Sequence, residues 1–136
     1  MFAFLRGVVA RKNADSIELD VNGVGYEVHV PARAQHKLLV DSPATLLTYC
    51  HIREDAFTIF GFLREDDKAL FKTLLTINGV GPRVALAVLS FLTVADLQQA
   101  VIENDVKALT KVPGVGKKMA QRLVLELHAK MGEDAE

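Results

Sequence analysis

The chain has 136 residues, half of them hydrophobic, with 16 Lys or Arg against 17 Asp or Glu and a formal net charge of -1. That length supports one ordinary domain or two small ones with modest cores, and the near-zero charge excludes a global basic field, so any attraction for nucleic acid must be local. A single cysteine, Cys50, excludes an internal disulfide and gives no reason to expect structural zinc.

The opening Met1-Phe2-Ala3-Phe4-Leu5-Arg6-Gly7 lacks a basic n-region and a long apolar h-region. No stretch approaches the roughly 18 apolar residues of a membrane span. The chain reads as soluble and cytoplasmic, with no membrane partner.

From Phe2 to Phe62 the apolar residues repeat every second position, as in half-buried strands. Phe2–Val9 reads as a first strand. Ile17, Leu19 and Val21 alternate with Glu18 and Asp20, the pair Asn22-Gly23 suits a tight hairpin turn, and Tyr26, Val28 and Val30 alternate on the return. Ala32–Leu39 loses the two-residue repeat and reads as a short helix, after which Ala44–Ile52 and Phe57–Phe62 supply two more strands. Five strands with a helix between the third and fourth is the order of an OB-fold barrel; a loose β-meander is the plain alternative.

After about residue 64 the period becomes helical. Leu70, Phe71, Leu74, Leu75 and Ile77 mark one apolar face; Val84, Leu86, Val88 and Leu89 a second; Leu97, Val101 and Ile102 a third; Leu123, Val124 and Leu127 a last. Thr93 and Asp105 are N-cap candidates. The fold class is therefore α+β, all-β over 1–63 and all-α over 64–136. Neither half is basic overall, but Lys111, Lys117, Lys118 and Arg122 lie in a stretch without an acidic residue.

The helical half contains a repeat. Leu74 through Ala85 lies over Leu109 through Ala120 at an offset of 35 residues, with Leu, Gly, Val, Gly and Ala in register and Arg83 matched by Lys118. Each copy reads as helix, Gly-Val-Gly turn, helix. Gly79 and Gly114 are expected to take positive φ and reverse the chain, while Gly81 and Gly116 have no Cβ to hold a ligand off the backbone. Val80 and Val115 should point inward, and Pro82 suits the first helical position. Free turn amides at the positive end of a helix dipole suit an anion. Main-chain donors hold phosphate without reading bases, so the predicted DNA-backbone site is Gly79, Val80, Gly81 and Arg83 in the first copy, and Gly114, Val115, Gly116, Lys117, Lys118 and Arg122 in the second.

Both copies resemble the helix-hairpin-helix motif, so the second half is expected to carry two in tandem. Gly23-Val24-Gly25 has no helix behind it and reads as hairpin geometry instead. A phosphate-binding P-loop would need glycine where Lys111 stands and Ser or Thr where Lys118 stands. His29, His36, His51 and His128 are too scattered to suggest a metal site. Asp96 and Asp105, the residues a base-excision enzyme would have to use, are better explained as helix starts. No cofactor, metal or catalytic residue is expected.

The turn Arg53-Glu54-Asp55 joins the fourth and fifth strands and by itself is an ordinary charged hairpin turn. On a surface facing DNA, its two carboxylates would repel phosphates.

Taken in order, Phe4-Leu5-Arg6-Gly7, Gly23-Val24-Gly25-Tyr26-Glu27-Val28, Arg53-Glu54-Asp55-Ala56 leading to Phe60-Gly61-Phe62, and the two glycine turns closely resemble the RuvA family of bacterial Holliday-junction proteins along essentially the whole chain. The resemblance implies a non-enzymatic DNA-binding subunit acting in homologous recombination, DNA repair and the SOS response. It implies a homotetramer, one or two of which hold a four-way junction open and square, with Glu54 and Asp55 as an acidic pin at the crossover. It implies two partners: the RuvB ATPase, which drives branch migration, and the RuvC resolvase. Family members usually continue through a linker into a third helical domain that contacts RuvB, and Met131-Gly132-Glu133-Asp134 has the composition of the start of such a linker, so the chain reads as a fragment lacking that domain. The rival readings are a general DNA-binding module of a nuclease, ligase or repair assembly, and a base-excision enzyme.

Overall fold

A computed structural model of the chain describes residues 1–134. The first compact unit spans Met1–Ala69 and the second begins at Leu70. The sequence period changes at 63/64, and the first residues of the helix beyond it group with the barrel.

The first unit is a closed barrel of five strands, β1 (Phe4–Lys12), β2 (Ser16–Val21), β3 (Val24–His29), β4 (Pro43–Ile52) and β5 (Phe57–Phe62), in the order β1-β2-β3-β5-β4. The alternation in sequence becomes an inside and an outside: Val9, Ile17, Leu19, Val28 and Leu46 are fully buried in the barrel core. β1 runs further than its apolar pattern suggests because it serves two neighbours. Its start pairs with β4 (Phe4↔Leu47 to Val8↔Pro43) and its end with β2 (Val8↔Asp20 to Lys12↔Ile17). An irregularity between Val9 and Arg11 lets the strand bend from one to the other. At Gly7 the chains pass so close that a Cβ would lie 2.2 Å from the Asp20 carbonyl oxygen, which reserves the position for glycine.

The β2–β3 turn is the hairpin expected from Asn22-Gly23, both residues having positive φ (52° and 91°). Helix α1 (Ala32–Lys37) lies between β3 and β4, and Ala34 and Leu38 join the barrel core. Its Gln35 side chain donates to the backbone carbonyls of Asn13 and Ser16. Parallel pairing of β3 with β5 at Val28↔Ile59 and His29↔Phe60 closes the barrel and so hides its edges.

Helix α2 (Glu65–Leu75) is followed by α3 (Pro82–Phe91), α4 (Val94–Ile102), α5 (Val106–Thr110) and α6 (Lys117–Asp134). Thr93 caps α4 in a reciprocal capping box with Asp96, and the Asp105 side chain accepts the Ala108 N–H at the start of α5. These two carboxylates are thereby explained as helix-start residues. The linker expected to begin at Met131 does not appear there, since α6 continues through Gly132 to Asp134. One glycine costs a helix about 1 kcal/mol, which weakens its last turn without ending it. No single described helix is long and apolar enough to cross a membrane.

Candidate nucleic-acid interface

The 35-residue repeat extends to individual hydrogen bonds and to burial. In the first copy Ile77 N–H donates to Leu74 O (3.1 Å) and Val80 N–H to Ile77 O (3.0 Å); in the second Val112 N–H donates to Leu109 O (3.2 Å) and Val115 N–H to Val112 O (3.0 Å). Leu74 and Leu109, Ile77 and Val112, Val80 and Val115, and Ala85 and Ala120 are all buried, each residue with its counterpart. Both glycine turns thus stand on an apolar footing. Their conformation is set by packing from below, which leaves the upper surface free.

Gly79 and Gly114 have φ of +87° and +85°, the left-handed values that a Cβ disfavours. Gly81 and Gly116 have no positive φ, and a Cβ built on either would meet nothing within 4 Å. All four glycines are exposed. The requirement for glycine at 79 and 114 is therefore conformational, whereas nothing inside the chain demands it at 81 or 116.

Gly81 is the N-cap of α3 and no side chain caps it; Pro82 follows at the first helical position, as expected. The first intrahelical bonds run from Ala85 N–H to Gly81 O and from Ala120 N–H to Gly116 O. The amides ahead of them have no partner within their helices. Each turn therefore joins exposed glycine backbone to the positive end of a helix, α3 with 10 residues and α6 with 18. Val80 and Val115 differ from their expected part. They point inward, 6% and 5% exposed, but their N–H groups close the turns and so are not free amides. The donors that remain are those of the glycines and of the first helical residues.

Arg83, Lys117 and Lys118 are exposed beside these amides, and no ion pair to a carboxylate holds any of them among the described residues. Arg122 is also exposed, but one guanidinium nitrogen, Nη1, donates to the Asn78 carbonyl (3.1 Å). A helix that starts at the second turn thus reaches the first. Residue types alone do not single out Asn78, and at a separation of 44 positions from Arg122 no spacing rule finds the pair.

In the barrel unit, Glu54 and Asp55 are exposed at the β4–β5 turn, which Arg53 N–H closes onto Ala56 O (2.8 Å). The neighbouring arginine does not neutralise them: Arg53 Nε donates to His51 Nε2 (3.1 Å). Among the described residues neither carboxylate has an ion-pair partner, so two negative charges stand at one hairpin tip. Elsewhere in that unit, burial and the adjacent Asp66 raise the Asp67 carboxyl above its ordinary range. Among the described residues no cluster of His, Cys, Asp and Glu could hold a metal ion.

Residues 1–61 match the family model described as RuvA N terminal domain, and residues 71–129 match the one described as SAM-like helix-hairpin-helix tandem. A Methylibium petroleiphilum protein named Holliday junction branch migration complex subunit RuvA is 49% identical over 135 residues, which are 98% of this chain and 70% of that protein. The chain belongs to the RuvA family. RuvA proteins carrying the same name from Thermobifida fusca and Pseudomonas fluorescens are each 48% identical, over 98% and 93% of this chain and 66% and 63% of their own lengths. The closed five-stranded barrel and the tandem helix-hairpin-helix motifs expected from residue patterns are both present in this RuvA-family chain.

Proposed function

We propose that this chain binds four-way DNA junctions by their shape, as the DNA-holding subunit of a branch-migration complex. The observation that carries this reading is the pair of matched turns, each presenting exposed glycine backbone at a helix start with a cation alongside. Backbone amides and flexible cations satisfy phosphate oxygens whatever the base sequence. The net charge of -1 supports shape selection, because such a protein has little general attraction for duplex and depends on several local grips made together. A homotetramer supplies them, with eight such turns on one junction and the carboxylates of Glu54 and Asp55 repelling phosphates at its centre.

The chain performs no chemistry on DNA in this proposal. The work of branch migration belongs to the RuvB ATPase, and cleavage to the RuvC resolvase. The deciding experiment is a competition in which labelled synthetic four-way junction is displaced by unlabelled junction or by linear duplex of the same sequence. Junction should displace at concentrations at least about a hundredfold lower, the order expected when several linked sites engage at once. Equal displacement by duplex would leave only a general DNA-binding module.

A further inference from the structure

The two turns match in backbone, footing and following cation, yet differ in one hydrogen bond. Arg122 Nη1 donates to the Asn78 carbonyl oxygen at 3.1 Å. The same nitrogen would lie 3.5 Å from a Cβ built on Gly79, and Met119 Cε 3.6 Å from it. Among the described residues the second turn has no equivalent: nothing lies within 4 Å of a Cβ on Gly114. At the repeat offset, the position matching Arg122 is Ala87, which has no donor, and the position matching Asn78 is Pro113.

The Asn78 carbonyl belongs to the peptide plane that carries the Gly79 N–H. In a trans peptide the C=O and N–H point in opposite directions, and the described chain has no cis peptide. Holding the carbonyl toward Arg122 therefore turns the Gly79 N–H away from it. We infer that Arg122 is a positioning residue for the first turn: from the helix that begins at the second turn, it fixes the peptide plane before Gly79 and so aims an amide at the phosphate. The inference rests on the reading of the turns as DNA-backbone sites. It gives Arg122 a task distinct from that of Lys117 and Lys118, whose charges face phosphate with no such tie.

The test uses the whole chain, with a synthetic four-way junction and linear duplex as probes. Arg122→Met keeps the apolar stem and removes the donor; Arg122→Lys keeps the charge but replaces the guanidinium by a shorter, mobile ammonium. For a positioning role, both variants should weaken junction binding by about three- to tenfold, the worth of one hydrogen bond. The slope of log K against log salt should stay unchanged. Amide exchange at Val80 should accelerate while Val115, in the matching turn, does not change. A direct phosphate contact gives the opposite pattern: Lys restores affinity, Met lowers the slope by roughly 0.9, and Val80 exchange is unaltered. That pattern would overturn the inference. Failure of the unmodified chain to prefer junctions would sink the functional reading instead, and Val80 exchange would still decide whether Arg122 holds the turn.

Discussion

A chain carrying Gly81→Ala and Gly116→Ala should unfold at nearly the same temperature as the unmodified chain and bind four-way junctions at least about a hundredfold more weakly. The two halves of that expectation have separate causes. A Cβ at either position meets nothing within 4 Å, and neither φ is positive, so alanine is sterically accepted. Replacing glycine by alanine at such sites changes stability by no more than about 1 kcal/mol in either direction. The new methyl groups nevertheless stand where a sugar-phosphate strand would meet the backbone. A hydrogen bond to a charged group contributes about 1.5 to 3 kcal/mol, so losing one at each turn removes roughly 3 kcal/mol or more, which is at least about a hundredfold in binding. Because the variant keeps every charge, the salt dependence should be preserved. Lys117→Ala with Lys118→Ala is the complementary case, in which the slope of log K against log salt falls by roughly 0.9 for each phosphate that is no longer neutralised. Thermal unfolding and a salt series on both variants make the comparison. Unchanged junction affinity in the glycine variant would remove those turns from the interface.

The second large effect is a gain. Glu54→Gln with Asp55→Asn removes from an exposed hairpin tip two carboxylates that have no ion-pair partner among the described residues, and with them a repulsion toward phosphate rather than an attraction. At the dielectric of bulk water, to which this exposed tip is open, each charge acting on a phosphate about 4 to 8 Å away is worth about 0.5 to 1 kcal/mol. Affinity for linear duplex should therefore rise by about five- to thirtyfold, the two charges together being worth about 1 to 2 kcal/mol, and the preference for junction over duplex should shrink. Competition between the two DNAs reads both quantities at once. Lower affinity for every DNA would contradict the repulsive role and make the turn an ordinary structural one.

Short-range rules set what is legible in the sequence. Asn22-Gly23 specifies its turn because both residues tolerate positive φ, and Thr93 and Asp105 mark helix starts because a short oxygen reaches an amide three residues on. The glycine turns are legible because the motif occurs twice in register, so that an alignment of the chain with itself exposes Gly79 and Gly114 together. Other features depend on what the fold brings together or on competition between local preferences. The amides of Val80 and Val115 are spent in closing their turns, which a pattern of residue types does not reveal. β1 runs on to Lys12 because β2 pairs with its far end. The polar, glycine-containing segment after Met131 resembles a linker by composition, yet the helix before it simply continues. The tie from Arg122 to Asn78 crosses 44 residues and exists only once α6 is placed beside the first turn.

The central claim is that main-chain nitrogens at the two turns receive the DNA backbone, and observing those amides individually tests it most directly. With the chain labelled by nitrogen-15, addition of an unlabelled four-way junction should shift the amide resonances of Gly79, Gly81, Gly114, Gly116 and the first residues of α3 and α6 at low stoichiometry, and by more than those of the barrel strands. Junction binding that leaves these amides in place, with the largest shifts on the barrel, would contradict it.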